Sequence, residues 1–184
     1  ASTEDILTEV NKTPAEVVFV LPNNKNIIMA AQQCIPLSDK KVIVIPTKTV
    51  PQGITAMLSF DPASAEDVIE AEMSAAIESV HTAQITYAAR NSEFDGFAIR
   101  EGDYLALLEG KLFDTDTSIG AVLEKLAAEA DSRGAEFVNL FYGSDVSEED
   151  ARKAGEQFGR LCPGAEINVV SGGQPVYYYI ISME

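Results

Sequence analysis

The sequence of 184 residues predicts an α/β fold with two lobes, built on duplicated βαβ units with an inserted antiparallel β-meander and flanking helices. Three observations lead to this prediction. Apolar runs of strand length alternate with helical patterns, two stretches repeat the same order of elements, and glycine-bearing turns separate short strands between them. The predicted domains are a first α/β unit over 1–80, the meander over 81–116 and a second α/β unit over 117–184.

The two repeated stretches each read as strand, polar loop, helix and strand. In both, the predicted helix ends at a cysteine, Cys34 or Cys162, which a proline follows closely. A duplication of this kind indicates two βαβ units, each with two parallel strands. The predicted segments are 17–21, 26–34 and 42–45 in the first unit, and 136–142, 148–162 and 167–170 in the second.

A third helical pattern follows the first unit. The stretch 61–80 has the apolar spacing of a helix, with Pro62 in its first turn. His81 directly follows this pattern and is predicted to cap the end of the helix.

The remaining segments complete the two lobes. Glycine-bearing turns at Gly102 and Gly110 mark the antiparallel meander. An amphipathic helix over 117–132, stopped by Gly134, precedes the second unit, and a β-rich strand over 176–183 follows it.

The composition excludes several classes of protein. Hydrophobic residues make up 46% of the chain and charged residues 23%, values typical of a globular protein. The net charge of −16 argues against nucleic-acid binding, and no apolar run is long enough to insert into a membrane. The absence of a secretory signal predicts a cytoplasmic protein. Because the chain does not begin with methionine, we expect it to be a fragment of a longer multidomain protein.

The sequence offers no signature of catalysis or metal binding. It contains neither a glycine-rich phosphate motif nor a nucleophile elbow, so we expect no catalytic residue and no cofactor in this chain. His81 is the single histidine, which excludes a histidine-rich metal site. Cys34 and Cys162 are predicted to be buried free thiols rather than a disulfide or metal ligands.

The candidate functional site follows the two strands of the first unit. One loop carries asparagines and a lysine, and the other, "PTKTVPQG" at 46–53, holds three polar residues between Pro46 and Pro51. Parallel strands end at one edge of a sheet, where α/β proteins bind ligands, so we expect the loops to be neighbours. The predicted partner- or anion-binding residues are Asn23, Asn24, Lys25, Asn26, Thr47, Lys48, Thr49, Gln52 and Gly53.

Charge supports a negatively charged partner at these loops. Residues 1–60 are neutral, whereas the rest of the chain holds the whole excess of negative charge. Amides, hydroxyls and ammonium groups can donate hydrogen bonds to a carboxylate, a phosphate or an acidic protein edge. The alternative is that these loops are ordinary turns with solvated lysines. The local positive island consists of Lys25, Lys40, Lys41 and Lys48.

Several stretches of the sequence resemble a known family. They are "VVFVLPNNKNIIMAA", "KKVIVIPTKTVPQGITAMLSFDP", "HTAQITYAAR", "EGDYLALLEGKL" and "SGGQPVYYYIISME". From about residue 2 to its last residue, the chain is similar to the C-terminal region of the bacterial dihydroxyacetone-kinase-like proteins, the ATP-binding subunits of fatty acid kinase. The resemblance implies that ATP and magnesium bind a kinase domain outside this chain. A homodimer formed through the missing domains stays open.

The resemblance also implies a partner. The family's C-terminal domain is thought to engage a separate DegV-type fatty-acid-binding protein, which presents an acyl carboxylate for phosphorylation. We therefore expect a non-catalytic domain that docks this carrier beside its own kinase domain. One alternative is a small-molecule domain that binds an acyl or phosphorylated ligand between its two lobes. Another is a self-standing hydrolase or phosphotransferase, which the lack of a recognisable nucleophile disfavours.

Overall fold

A computed structural model describes residues 1–94 and 96–184. The chain forms two compact units, Ala1–Val80 and His81–Glu184. The first unit packs helices on a two-stranded parallel sheet, and the second packs helices on a six-stranded mixed sheet. The predicted α/β class is confirmed.

The first unit contains the predicted parallel βαβ motif. Strand β1 (Val17–Val20) pairs in parallel with β2 (Lys41–Val44). The helix between them is short and ends at Cys34, as the sequence predicted. The helices of this unit are α1 (Thr3–Lys12), α2 (Ile28–Gln33), α3 (Val50–Leu58) and α4 (Glu66–Ala76), with 3-10 turns at Ile35–Leu37 and Ile77–Ser79.

The main core of this unit lies between the sheet and helices α3 and α4. Phe19 from β1 packs edge-to-face on Phe60, with ring centroids 5.9 Å apart. Such burial of apolar area is the main source of stability in a unit of this size. The buried core residues are Ile43, Ile45, Ala56, Ile69, Met73 and Ile77.

The segment after β2 becomes helical earlier than the sequence predicted. Helix α3 begins at Val50, so the predicted loop 46–53 ends at Thr49. Pro51 lies in the first turn of α3, where the missing N–H of proline leaves no hydrogen bond unmade. Pro51 therefore starts a helix instead of stiffening a loop.

Two predictions around the next helix are wrong. Helix α4 begins at Glu66 and does not include Pro62, because the Asp61 side chain closes a separate turn by accepting the Ala63 N–H at 2.9 Å. The 3-10 turn after α4 ends the helix without His81. Instead, His81 opens the first strand of the second unit, where its Nδ1 lies 2.8 Å from Oε1 of Glu109.

The second unit contains eight strands and two helices among its described residues. Three strands form the predicted antiparallel meander, and a small hairpin is inserted between the first and second of them. The elements are β3 (His81–Tyr87), β4 (Ser92–Phe94), β5 (Phe97–Ile99), β6 (Tyr104–Leu108), β7 (Lys111–Asp116), α5 (Ile119–Ser132), β8 (Phe137–Tyr142), α6 (Glu148–Leu161), β9 (Glu166–Ser171) and β10 (Tyr179–Met183).

Strand β10 joins the meander to the second βαβ motif. The order of the sheet is β7-β6-β3-β10-β8-β9, and β10 runs antiparallel to both of its neighbours. Ile181 of β10 lies opposite Ala83 on one side and Leu140 on the other, and all three are fully buried. Residues 81–116 and 117–184 therefore share one sheet and one hydrophobic core, which also contains Phe158 of α6.

Both cysteines are buried and free, as the sequence predicted. The Cys34 thiol donates a hydrogen bond to the backbone oxygen of Thr3 at 3.3 Å. Burial raises the pKa of both thiols, and the nearby charge of Asp131 adds to the effect at Cys162. Because the thiolate is the reactive form, both cysteines should be protected.

We expect a thiol reagent to modify the native chain slowly and to modify two thiols rapidly once the chain is denatured. A Cys34→Ala variant, measured in the same way, should lose one of the two. Two fast-reacting thiols in the native protein would contradict the buried arrangement.

Candidate functional site

A buried hydrogen bond joins the two loops that the sequence singled out. Thr47 is fully buried, and its Oγ1 accepts a hydrogen bond from the backbone N–H of Asn23 at 2.9 Å. Because β1 and β2 run parallel, segments 22–27 and 46–49 leave the same edge of the sheet. We call these two segments the loop pair. Thr47 thus holds the loop pair together from the inside.

Asn23 and Gly53 pack against each other under the loop pair. Asn23 has a left-handed backbone, with φ of 56°, a conformation that asparagine adopts more readily than most residues. A Cβ atom on Gly53 would lie 2.1 Å from Oδ1 of Asn23, so the Asn23 side chain occupies that space. This Oδ1 is buried and has no hydrogen-bond partner among the described residues. Gly53 is itself buried, which removes it from the exposed surface.

Two further predicted residues fix the start of α3. Thr49 is the N-cap, and its Oγ1 accepts the N–H of Gln52 at 3.3 Å. The Oε1 of Gln52 accepts the N–H of Lys48 at 2.7 Å, and its Nε2 donates to the backbone oxygen of Ile77 at 3.2 Å. Gln52 therefore ties the loop pair to the turn after α4, and its amide is used within the fold.

Four predicted residues face solvent. Asn24 closes the turn of its loop, because its Oδ1 accepts the Asn26 N–H at 2.9 Å. Lys25 lies at the tip of that turn, and Lys48 directly follows the buried Thr47. The loop pair thus places two lysines at one edge of the sheet. The exposed residues are Asn24, Lys25, Asn26 and Lys48.

The positive island is smaller than the sequence predicted. The ammonium group of Lys40 donates to the backbone oxygen of Thr13, and that of Lys41 pairs with the Glu66 carboxylate. This hydrogen bond and the charge of Glu66 raise the pKa of Lys41. Lys25 and Lys48 are the members that remain beside the loop pair.

An exposed apolar face next to the loop pair was not predicted from the sequence. Helix α3 buries Ala56 on one side and exposes a row of apolar side chains on the other. Leu58 has 82% of its surface exposed. A contiguous apolar face of this kind marks an interaction surface. The row, spaced i, i+4, i+7 and i+8 along the helix, consists of Val50, Ile54, Met57 and Leu58.

A signal in the sequence could have revealed this helix. "TVPQ" at 49–52 has the Ser/Thr-x-x-Glu/Gln spacing of an N-terminal cap, with proline in the first turn. The apolar period then continues through Leu58. The second proline of the loop obscured the pattern.

The equivalent loops of the second unit are used internally. The Nε2 of Gln174 donates to the backbone oxygens of Phe141 at 3.0 Å and Tyr177 at 3.3 Å. A Cβ atom on Gly143 would lie 2.3 Å from the Tyr177 oxygen, so this position has no room for a side chain. These loops are therefore closely packed turns.

The described residues contain no cluster of three or more His, Cys, Asp or Glu residues placed to hold a metal ion. Within the same residues, no helix is both long and apolar enough to cross a membrane. The chemistry of the loop pair is hydrogen-bond donation and positive charge, which suits recognition of an anionic group.

We expect Thr47→Val to destabilise the fold by about 1–2 kcal/mol, because the buried N–H of Asn23 loses its acceptor while the shape of the side chain is kept. Thermal and urea unfolding would measure the change. Thr8→Val, an equivalent substitution at an exposed position of α1, is the matched control and should change stability by less than about 0.5 kcal/mol. Equal stability of both variants would show that the Asn23–Thr47 hydrogen bond does not hold the loop pair.

Solved structures of two kinds share this fold. The fatty acid kinase B3 protein of Streptococcus pneumoniae, loaded with linoleic acid, matches 100% of this chain and 76% of its own, with a TM-score of 0.70 and 12% identity. The dihydroxyacetone kinase of C. freundii, in complex with AMP-PNP and Mg²⁺, matches 99% of this chain and 41% of its own, with a TM-score of 0.68 and 11% identity. At these identities the likeness shows the fold alone.

Sequence comparison identifies the family. Protein YloV of Bacillus subtilis (strain 168) is 39% identical over 183 residues, which are 100% of this chain and 33% of YloV. The chain thus spans about a third of the length of the curated relatives it matches. The family model for the FakA-like C-terminal domain of fatty acid kinase matches residues 1–184. The chain therefore belongs to the family of FakA-like C-terminal domains of fatty acid kinase.

Proposed function

We propose that this chain is a non-catalytic domain of a fatty acid kinase and that it docks a DegV-type fatty-acid-binding protein in the cytoplasm. The docked carrier presents its acyl carboxylate to a kinase domain elsewhere in the longer protein, and that kinase domain binds ATP and magnesium. The family of the chain supports the kinase context. The surface of the first unit supports the docking role.

The observation that carries this proposal is an apolar helix face with a basic edge. We call this surface the docking face. Its apolar part lies on α3 and its basic part on the loop pair. An apolar centre with a polar rim is the usual anatomy of a protein interface. The docking face consists of Lys25, Lys48, Val50, Ile54, Met57 and Leu58.

The two parts of the docking face have different energetic roles. Burial of a fully exposed leucine side chain contributes roughly 1.5–3 kcal/mol, so Leu58 and its neighbours supply affinity. The lysines lie at the rim, where charge mainly accelerates association and selects the partner. Because the chain as a whole carries a net charge of −16, the two lysines favour approach of an acidic partner at this face over other faces.

A docking domain contributes to phosphoryl transfer without touching the reacting atoms. By holding the carrier on the same polypeptide as the kinase domain, it raises the effective concentration of the acyl carboxylate at the kinase site. The internal set of loop residues keeps the docking face in one conformation, so less entropy is lost when the partner binds.

We expect Lys48→Glu to slow association with a DegV-type carrier several-fold and to reduce its salt dependence, because a rim charge acts mainly on encounter. Leu58→Ala should instead speed dissociation, because it removes buried apolar area. Surface plasmon resonance at two ionic strengths would separate the two effects.

Lys153→Glu is the matched control, because Lys153 is an exposed lysine on α6 in the other unit. It makes the same change in net charge and should leave both rates nearly unchanged. If Lys48→Glu and Leu58→Ala kept both rates of the parent chain while remaining folded, the carrier would dock elsewhere or not at all.

The alternative function is that this chain itself binds an acyl or phosphorylated ligand. One observation favours it: the Streptococcus pneumoniae protein with the same fold is loaded with linoleic acid.

The docking function predicts that the purified chain carries no fatty acid. Native mass spectrometry should therefore give the mass of the chain alone, while a fatty-acid-loaded DegV-type protein, ionised under the same conditions, retains its ligand as the control. A chain that co-purifies with a fatty acid would favour the alternative.

A further inference from the structure

We propose that the free edge of β1 binds an extended peptide segment, which adds a third strand to the sheet of the first unit. The segment carries alternating apolar side chains with basic residues at its ends. This second surface shares no residue with the docking face, and its function does not depend on carrier docking.

The backbone of β1 offers an unused row of hydrogen-bonding groups. In the parallel pair, the backbone oxygens of Glu16 and Val20 accept from Lys41 and Ile45 of the neighbouring chain segment. Backbone groups alternate in direction along a strand, so those of every second residue point away from β2. Within residues 1–94 and 96–184, no hydrogen bond joins these outward groups to another residue. The outward residues are Val17, Phe19 and Leu21.

A groove runs beside this free edge. It has a volume of about 390 Å³, and its walls are α1 and β1. Four consecutive residues of the strand segment, 18–21, line it. Because successive side chains of a strand point to opposite faces, lining by four in a row means that the groove follows the edge of the strand. Helix α1 adds Ile6 and Val10 to the wall, so an incoming strand meets an apolar surface.

An edge strand beside a helix wall is the arrangement that binds peptides by strand addition. The backbone of the peptide would pair with Val17, Phe19 and Leu21, which gives affinity without regard to sequence. Alternate apolar side chains of the peptide would then pack on Ile6 and Val10. A two-stranded sheet is only marginally stable by itself, and a third strand stabilises it.

Charge identifies the class of peptide. Asp5 and Glu9 line the groove on the α1 side. Asp5 also caps α1 by accepting the Ser2 N–H at 3.0 Å, a bond that lowers the pKa of this carboxyl and keeps it charged. Glu9 pairs with Lys12 at 3.1 Å, but both side chains are largely exposed, so this pair is weak. The groove therefore favours a segment with lysine or arginine.

The same charges disfavour a second copy of this chain as the occupant. If two copies paired through their β1 edges, each would bring its own Asp5 and Glu9 to the contact. Like charges that meet across an interface oppose association. A basic peptide has no such cost.

The test uses a capped heptapeptide, Lys-Val-Thr-Val-Thr-Val-Lys, titrated into the 184-residue chain by calorimetry and followed by amide NMR shifts. We expect saturable binding, with the largest shifts at residues 17–21. N-methylation of alternate peptide amides should weaken binding at least tenfold, because it removes the donors of the added strand. Glutamates in place of the two lysines should weaken it several-fold.

Two variants test the surface itself. Val17→Pro removes an outward N–H at the first residue of an edge strand, a position that tolerates proline, and should weaken binding several-fold. Glu9→Lys should weaken binding of the lysine peptide and strengthen binding of the glutamate peptide. Glu72→Lys makes the same charge change at an exposed position of α4 outside the groove and is the matched control. Melting curves confirm that each variant is folded.

Several results would overturn the proposal. These are absence of binding, equal binding of the N-methylated and parent peptides, and equal effects of Glu9→Lys and Glu72→Lys. A concentration-dependent dimer that Val17→Pro abolishes would also overturn it, because a second copy would then occupy the edge. Carrier docking that stays intact in Val17→Pro would show that the two surfaces function separately.

Discussion

The candidate site depends on the parallel register of β1 and β2. Because the two strands end at the same edge, segments 22–27 and 46–49 meet there and the hydroxyl of Thr47 can accept the N–H of Asn23. That contact fixes where the chain leaves the sheet, and Thr49 then starts α3 directly after it. The exposed apolar row on α3 and the two lysines are consequences of this placement. A register shift of one residue would turn the buried side chains of β2 outwards and separate all of them.

The same βαβ motif serves different purposes in the two units. In the second unit its strands belong to a wide sheet, and its loops are filled by Gln174 and by the close contact at Gly143. In the first unit the sheet has two strands, so the loops, a helix face and a strand edge stay accessible. A duplicated motif can therefore provide a rigid core in one copy and contact surfaces in the other.

Local signals in the sequence predicted much of the fold. Apolar runs gave β1, β2 and β8, helical periods gave α5 and α6, and the cysteines marked the ends of two helices. The resemblance in "LPNNKN" and "VIPTKTVPQG" led to the family that full-length comparison confirms. Prediction failed where one residue type has two structural uses. Pro51 can stiffen a loop or start a helix, and the apolar residues that follow decide between them. Other features have no local signal at all. Thr47 was expected among exposed donors, but its burial depends on the approach of Asn23 from another loop. The position of β10 at the centre of its sheet likewise depends on partners that lie about forty and a hundred residues earlier in the chain.

The central position of β10 also sets a schedule for synthesis of the protein. Ribosomes add roughly 5–20 residues per second, so β3 emerges several seconds before the strand that must lie beside it. During that interval the meander and the second βαβ motif are two half-sheets, each with an unpaired edge. The second unit can complete its core only after Tyr179–Met183 has left the exit tunnel. Its nascent chain is therefore an object for chaperones, whereas the first unit, with its short-range pairings, can fold while translation continues.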